Sequence, residues 1–140
     1  MLSAVVLLGL VSAPQTPGIM GRWEGTSICT RIPENAACHD EVVVYDFRLS
    51  KDKPGAVTLD AKKIVNGKPE PMYELDFAFD ETHHQWSAEF SNTRVHIRWS
   101  YTVEGDSMTG TCVLLPSETV VRNVNVKRAV SGKQDEGHSW

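Results

Sequence analysis

The sequence predicts an all-β domain, an antiparallel up-and-down meander of about eight strands closed into a barrel. Three observations carry that expectation. Apolar and polar residues alternate with period two from Arg22 onward, the signature of half-buried strands. Short turn-forming clusters separate the alternating runs. No stretch keeps the helical period over a useful length. At 140 residues, 41% of them hydrophobic, the chain suits one domain with its own core.

The elements follow in order. The first strand, Arg22 to Thr30, places Trp23, Gly25, Ser27 and Cys29 on one face. The second, Glu41 to Leu49, turns Val43, Tyr45, Phe47 and Leu49 inward. The third, Val57 to Ile64, offers Val57, Leu59 and Ala61. The fourth, Met72 to Phe79, offers Tyr73, Leu75, Phe77 and Phe79, with Glu74 and Asp76 facing out. The short fifth carries Trp86, Ala88 and Phe90. The sixth alternates cleanly, with Val95, Ile97, Trp99, Tyr101 and Val103 inward. The seventh groups Met108, Gly110, Cys112 and Leu114. The eighth groups Val120, Val124 and Val126, with Arg122 on the same face and Arg128 near its end. An even number of sequentially connected strands lets the first and last close antiparallel, which removes exposed edges.

Turn positions test the register, because a slip of one residue flips every side chain. A two-residue turn at Gly105-Asp106 pairs Val103 with Met108, Tyr101 with Gly110 and Trp99 with Cys112, inward with inward. A turn at Asn92-Thr93 pairs Phe90 with Val95, Ala88 with Ile97 and Trp86 with Trp99. A tight turn at Asn66-Gly67 would pair inward Leu59 with outward Glu74, so a bulge or a longer loop is expected there. Looping at Pro116 to Glu118 pairs Leu114 with Val120 and Cys112 with Arg122.

A net charge of −4 and a pI near 5.7 argue against a nucleic-acid binder. No Lys or Arg run could serve as a polybasic membrane patch. Leu2 to Val11 is apolar, is followed by Ser12-Ala13, and is too short to span a bilayer. Residues 1–18 therefore read as a signal peptide or N-terminal extension, residues 19–130 as the barrel, and 131–140 as a flexible tail. Export to the periplasm or outside follows, with no stable membrane insertion after processing. Cys29 and Cys38 bracket a polar loop and are placed to form a disulfide in such a compartment, leaving Cys112 as a buried thiol.

Gly21-Arg22-Trp23 at the start of the first strand and Arg128 late in the last resemble the calycin superfamily, the lipocalins and their relatives. Cys38-His39-Asp40-Glu41-Val42-Val43-Val44-Tyr45 and the segment from Trp23 to Cys29 resemble small exported bacterial β-barrel proteins. The resemblance implies a lipocalin-like barrel in which the arginine packs over the tryptophan at the closed end. Strand alternation puts both residues at one end, where Arg128 over the Trp23 indole would form a cation–π contact.

No catalytic constellation stands out, and no cofactor is expected. His39-Asp40-Glu41 is a dense polar cluster, but adjacent strand residues point to opposite faces and cannot share an ion easily. His96 faces outward opposite Glu89 as a surface pair. Cys112 lacks a base and an orienting group. The inward aromatics leave two readings open, a barrel filled by its own side chains or one holding a small ligand. On the second reading the ligand contacts are Arg122, Trp99, Trp86, Phe90, Tyr45, Tyr101 and Cys112. Arg122 points inward with no acidic neighbour in the inward set, which suggests a fatty-acid-like or other anionic ligand as its partner. The alternative function is an exported protein-interaction module, such as an inhibitor, acting through the Cys29 to Cys38 loop.

Overall fold

A computed structural model describes residues 18–130, and the segments 1–17 and 131–140 lie outside the described residues. The expected leader (apart from Gly18) and tail fall in those outer segments. Eight strands close into a single antiparallel barrel in chain order. They are β1 (Gly21–Cys29), β2 (Glu41–Leu49), β3 (Val57–Val65), β4 (Lys68–Asp80), β5 (Gln85–Ser91), β6 (His96–Glu104), β7 (Ser107–Leu114) and β8 (Thr119–Arg128). A 3-10 turn, Pro33–Asn35, lies inside the loop that joins β1 to β2.

The barrel closes where β1 pairs with β8, Trp23 opposite Arg128 and Cys29 opposite Arg122. The backbones approach closely at this seam. A Cβ on Gly25 would sit 2.1 Å from the Asn125 carbonyl oxygen, so only glycine fits. Gly110 serves the interior in the same way, because its missing side chain makes room for the Tyr101 ring on the neighbouring strand.

One end of the barrel is sealed. Ile19 and Trp23 are fully buried there, and the Trp23 indole N–H donates to the Ile19 carbonyl at 2.8 Å. Arg128 lies over the Trp23 ring at 4.3 Å. It also donates to the Met20 and Gly18 carbonyls and meets Asp106. Above this base the interior is filled by Tyr45, Phe47, Leu59, Phe77 and Tyr101. Phe77 and Tyr101 have ring centroids 5.3 Å apart, a spacing at which aromatic rings attract beyond simple burial. The lower and middle barrel is thus packed with its own side chains.

The Gly105-Asp106 hairpin has the expected register, with Val103 opposite Met108 and Trp99 opposite Cys112. The β5–β6 hairpin does not. Phe90 pairs with Ile97, Ala88 with Trp99 and Trp86 with Tyr101, two residues from the expected pairing. The cause is local. The Asn92 side chain accepts from the N–H groups of both Arg94 and Val95 at 2.8 Å, which widens the turn to include Val95. Val95 therefore sits in the loop and is exposed rather than inward on β6.

At Asn66-Gly67 the turn is tight after all, with Val65 opposite Lys68 and both turn residues at positive φ. A bulge between Ala61 and Lys62 absorbs the conflict and restores Leu59 to Leu75. A second shift, between Cys112 and Val113, keeps Cys112 opposite Arg122 but pairs Leu114 with Thr119 instead of Val120. As a result Val121 is buried and Val120 is exposed, the reverse of strict alternation. Leu49, expected inward, is 66% exposed because it ends β2 beyond the packed core.

Candidate functional site

The wall is not continuous around the barrel. β4 has 13 residues and β5 has 7, and they pair only from Ala78–Ser87 to Asp80–Gln85. Above that short contact the strands diverge. Pro69 and Pro71 occur on the stretch of β4 that has no β5 partner. Proline lacks the N–H needed for a ladder on both sides, and an unpaired flank tolerates it.

The divergence opens an apolar pocket of about 210 Å³ in the wall, lined by Tyr73, Glu74, Leu75, Phe90, Val95, Ile97 and Trp99. Tyr73 and Trp99 stack with centroids 6.0 Å apart, and Trp99 in turn stacks on Tyr101 at 6.2 Å. Phe90 and Val95 stand at the rim, 42% and 37% exposed. Leu75 also borders a wider polar groove on the outer surface, with Arg48, Glu74, Asp76 and Glu89 around it.

Deeper in, the hydroxyls of Tyr73 and Tyr101 and the Trp86 indole nitrogen are buried and have no hydrogen-bond partner among the described residues. Burial raises the pKa of all three interior tyrosines. Tyr45 is pushed up to about 12, while Tyr73 and Tyr101 are raised well above the usual phenol value, reinforced by Tyr45. Burial likewise pushes the Cys112 thiol up to about 12, against a smaller opposing pull from Arg122. The thiol therefore stays protonated and is a poor nucleophile near neutral pH.

Arg122 is placed differently from expectation. Its guanidinium meets the Glu41 carboxylate at 3.1 Å, the Ser27 hydroxyl at 2.9 Å and the His39 carbonyl at 2.9 Å. The partner inferred to be missing is Glu41, at the head of β2. Glu41 shares the parity of Val43 and Tyr45, so it enters the barrel from the second strand. The pair is largely buried and sits beside the Cys29–Cys38 disulfide, whose loop it fastens to β8. Asn35 adds a second fastening, donating to the Thr30 and Val121 carbonyls.

Of the expected ligand contacts, the structure brings Trp99 and Phe90 to the pocket. Tyr101 lies behind Trp99, and Cys112 is opposite Trp99 on β7. Trp86 packs lower, against Phe79 at 5.3 Å, and Tyr45 lies in the central core. His96 does meet Glu89, at 3.4 Å, although its direct cross-strand partner is Ser91. Sequence reasoning missed the pocket role of Tyr73, Leu75, Val95 and Ile97. The available signal was the mismatch in length between the fourth and fifth alternating runs.

The geometry defines a closed eight-stranded antiparallel barrel with a packed base and an apolar opening in one flank. Comparison with protein-family models, curated proteins and solved structures finds no match to this chain.

Proposed function

We propose that this barrel is an exported, non-enzymatic binding protein for a small, largely apolar ligand, which enters between β4 and β5. The observation that carries the reading is the wall pocket with its aromatic lining and exposed apolar rim. Closed pockets for drug-sized molecules usually measure about 300–1,000 Å³. A volume of about 210 Å³ therefore suits one ring or a short chain, not a long acyl chain. The packed base argues the same way, since it leaves no deep tunnel.

An anionic head no longer follows from Arg122, because Glu41 and three further acceptors already occupy its donors. The calycin resemblance remains compatible with this reading through the Trp23–Arg128 contact. Export is supported by the Cys29–Cys38 disulfide, a bond that persists in oxidising compartments.

The test is a titration with neutral hydrocarbons graded from one ring to four fused rings, following tryptophan emission. One-ring compounds should give saturable changes through Trp99, and four-ring compounds should not. Ile97→Trp should block the pocket and abolish the response. Absence of saturable binding by any member, in a folded protein, would defeat the reading.

A further inference from the structure

We infer that the same opening receives an extended segment of a partner protein, added as a strand along the free edge of β4, in which apolar residues alternate with basic ones. The inference rests on the pocket reading for one contact, the seat of a single apolar side chain. Otherwise it stands on the strand edges.

β3 pairs with β4 from Lys68 to Phe77, whereas β5 pairs with it only from Ala78 to Asp80. The backbone groups of β4 that face β5 before Ala78 therefore lack ladder partners among the described residues. An unpaired edge of this kind is a template for another strand, and proline is one device that blunts it. Pro69 and Pro71 guard only the first part of the edge. From Met72 to Phe77 no proline intervenes, and those six residues match the ordinary length of a strand.

An extended chain sends alternate side chains to opposite faces, and this edge has a different cavity on each. Inside is the apolar pocket, with Tyr73 and Leu75 from β4 and Phe90 and Trp99 beyond them. Outside is the polar groove, of about 550 Å³, which shares Glu74 and Leu75 with the pocket. The carboxylates on either side of the gap are Glu74 and Asp76 on β4 and Glu89 on β5. The Glu74 and Glu89 side chains are 61% and 58% exposed. The cations of the groove, Arg48, Lys51 and Lys53, belong to β2 and the loop after it, on the far side of β3. Arg48 reaches one Glu74 oxygen at 3.3 Å from that side.

These surroundings select the occupant. A small hydrocarbon fills the pocket but leaves the strand edge and the carboxylates unused. A second copy of the chain fits poorly. Two β4 edges joined antiparallel about a two-fold axis, with their faces kept, set Glu74 opposite Glu74 or Asp76. Like charges directly opposite are destabilising. A lysine or arginine at those outward positions forms a favourable cross-strand pair instead, and the apolar residue between two of them enters the pocket. The chemistry recognised is a bare main chain with a basic–apolar alternation, the strand-addition mode of peptide recognition.

The probe is a capped peptide of about seven residues, a strand length, with lysine at alternate positions, a central phenylalanine and valine on either side of it. Its affinity is measured by calorimetry, and amide hydrogen exchange of the barrel is followed in parallel. Binding should slow exchange within Met72–Phe77, which one-ring hydrocarbons should not do. Two versions of the peptide are N-methylated on one or the other set of alternate amides. The set that faces β4 should weaken binding at least tenfold, the size of two or more neutral hydrogen bonds. Replacing the lysines by glutamate should also weaken it. Glu74→Lys, shown by circular dichroism to be folded, should weaken the lysine peptide by up to about fivefold and strengthen the glutamate peptide. Binding that neither methylated set disturbs, or that protects no amide in Met72–Phe77, overturns the inference. Tighter binding of the glutamate peptide to the wild type overturns it equally. If one-ring hydrocarbons bind and the lysine peptide does not, strand addition falls and the pocket reading survives. If the peptide pairs along β4 while no hydrocarbon binds, the pocket reading falls and strand addition is upheld.

Discussion

The two ends of the barrel differ sharply in how they are held. At the base, Trp23, Ile19 and Arg128 are locked by an indole hydrogen bond, a cation–π contact and several carbonyl bonds. At the top, two strands part and aromatic side chains meet solvent. Packing and polar contacts concentrate in the first region, and the second is more loosely packed. Proteins commonly place binding elements at the less stable end of their structure.

The largest break in this comparison should come from Trp23→Ala. Deleting a fully buried indole costs about 3–5 kcal/mol, and chemical denaturation should show it as a large fall in midpoint. Phe90→Ser at the rim of the pocket provides the contrast, because it removes a partly solvated side chain.

Next in size is Arg122→Met, which leaves the Glu41 carboxylate without its partner. The expected loss is about 1–3 kcal/mol, from an unsatisfied, largely buried group. Adding Glu41→Gln should recover part of it. Hydrocarbon binding should stay unchanged in both variants, and a loss of binding would return Arg122 to the ligand site.

Arg128→Ala should cost roughly 0.5–2 kcal/mol through the lost cation–π contact. An unaltered denaturation midpoint would mean that the Trp23 end is sealed by packing alone.

Alkaline pH should sharpen the contrast from the other side. The Cys112 thiol rises from 9.0 to about 12 on folding, and Tyr45 from 10.0 to about 12. The folded state holds these protons more tightly than the unfolded chain does. Their contribution is therefore complete below pH 9 and disappears as pH climbs through the folded values near 12. Denaturation midpoints should begin to fall above about pH 9, and Cys112→Ala should delay the onset toward pH 10, where the tyrosines take over. A flat profile to pH 11 would contradict the buried state of this cluster. The smallest effect is that of Phe90→Ser. It should lower stability by less than about 1 kcal/mol, because the side chain is already partly solvated, while weakening hydrocarbon binding.

Period-two alternation made strand existence and facing legible, because burial on one face leaves a direct imprint on the chain. The Gly105-Asp106 register was legible too, since a two-residue turn there fixes one pairing and that pairing keeps the faces together. The β5–β6 register was not. A shift of two residues preserves facing, so the hydrophobic pattern cannot detect it, and the deciding interaction was a side-chain cap from Asn92. Bulges were partly legible. The conflict between Leu59 and Glu74 announced one, but the shift after Cys112 left Val120-Val121 ambiguous because both residues are apolar.

The candidate site was harder to read for a related reason. Alternation says which face a residue occupies, not how neighbouring strands are spaced. The parting of β4 from β5 is a between-strand property, visible only as unequal run lengths. Glu41 was not legible because the inward apolar set starts at Val43, one inward position after it. Extending the parity by one step would have supplied the carboxylate for Arg122.

The seam between the first and last strands has a practical consequence. Ala129 donates to the Arg22 carbonyl, and Arg128 reaches back to Gly18, so both edges of the described segment emerge together at the sealed base. The parted strands lie toward the opposite end. A barrel tethered to a surface or fused to a carrier through either edge would hold its opening outward, unobstructed. The same proximity favours circular permutation, with residues 130 and 18 bridged by a short linker and new ends cut in the exposed turn at Asp52 to Gly55. Such a permutant keeps every strand pair of the barrel while moving the chain break away from the seam.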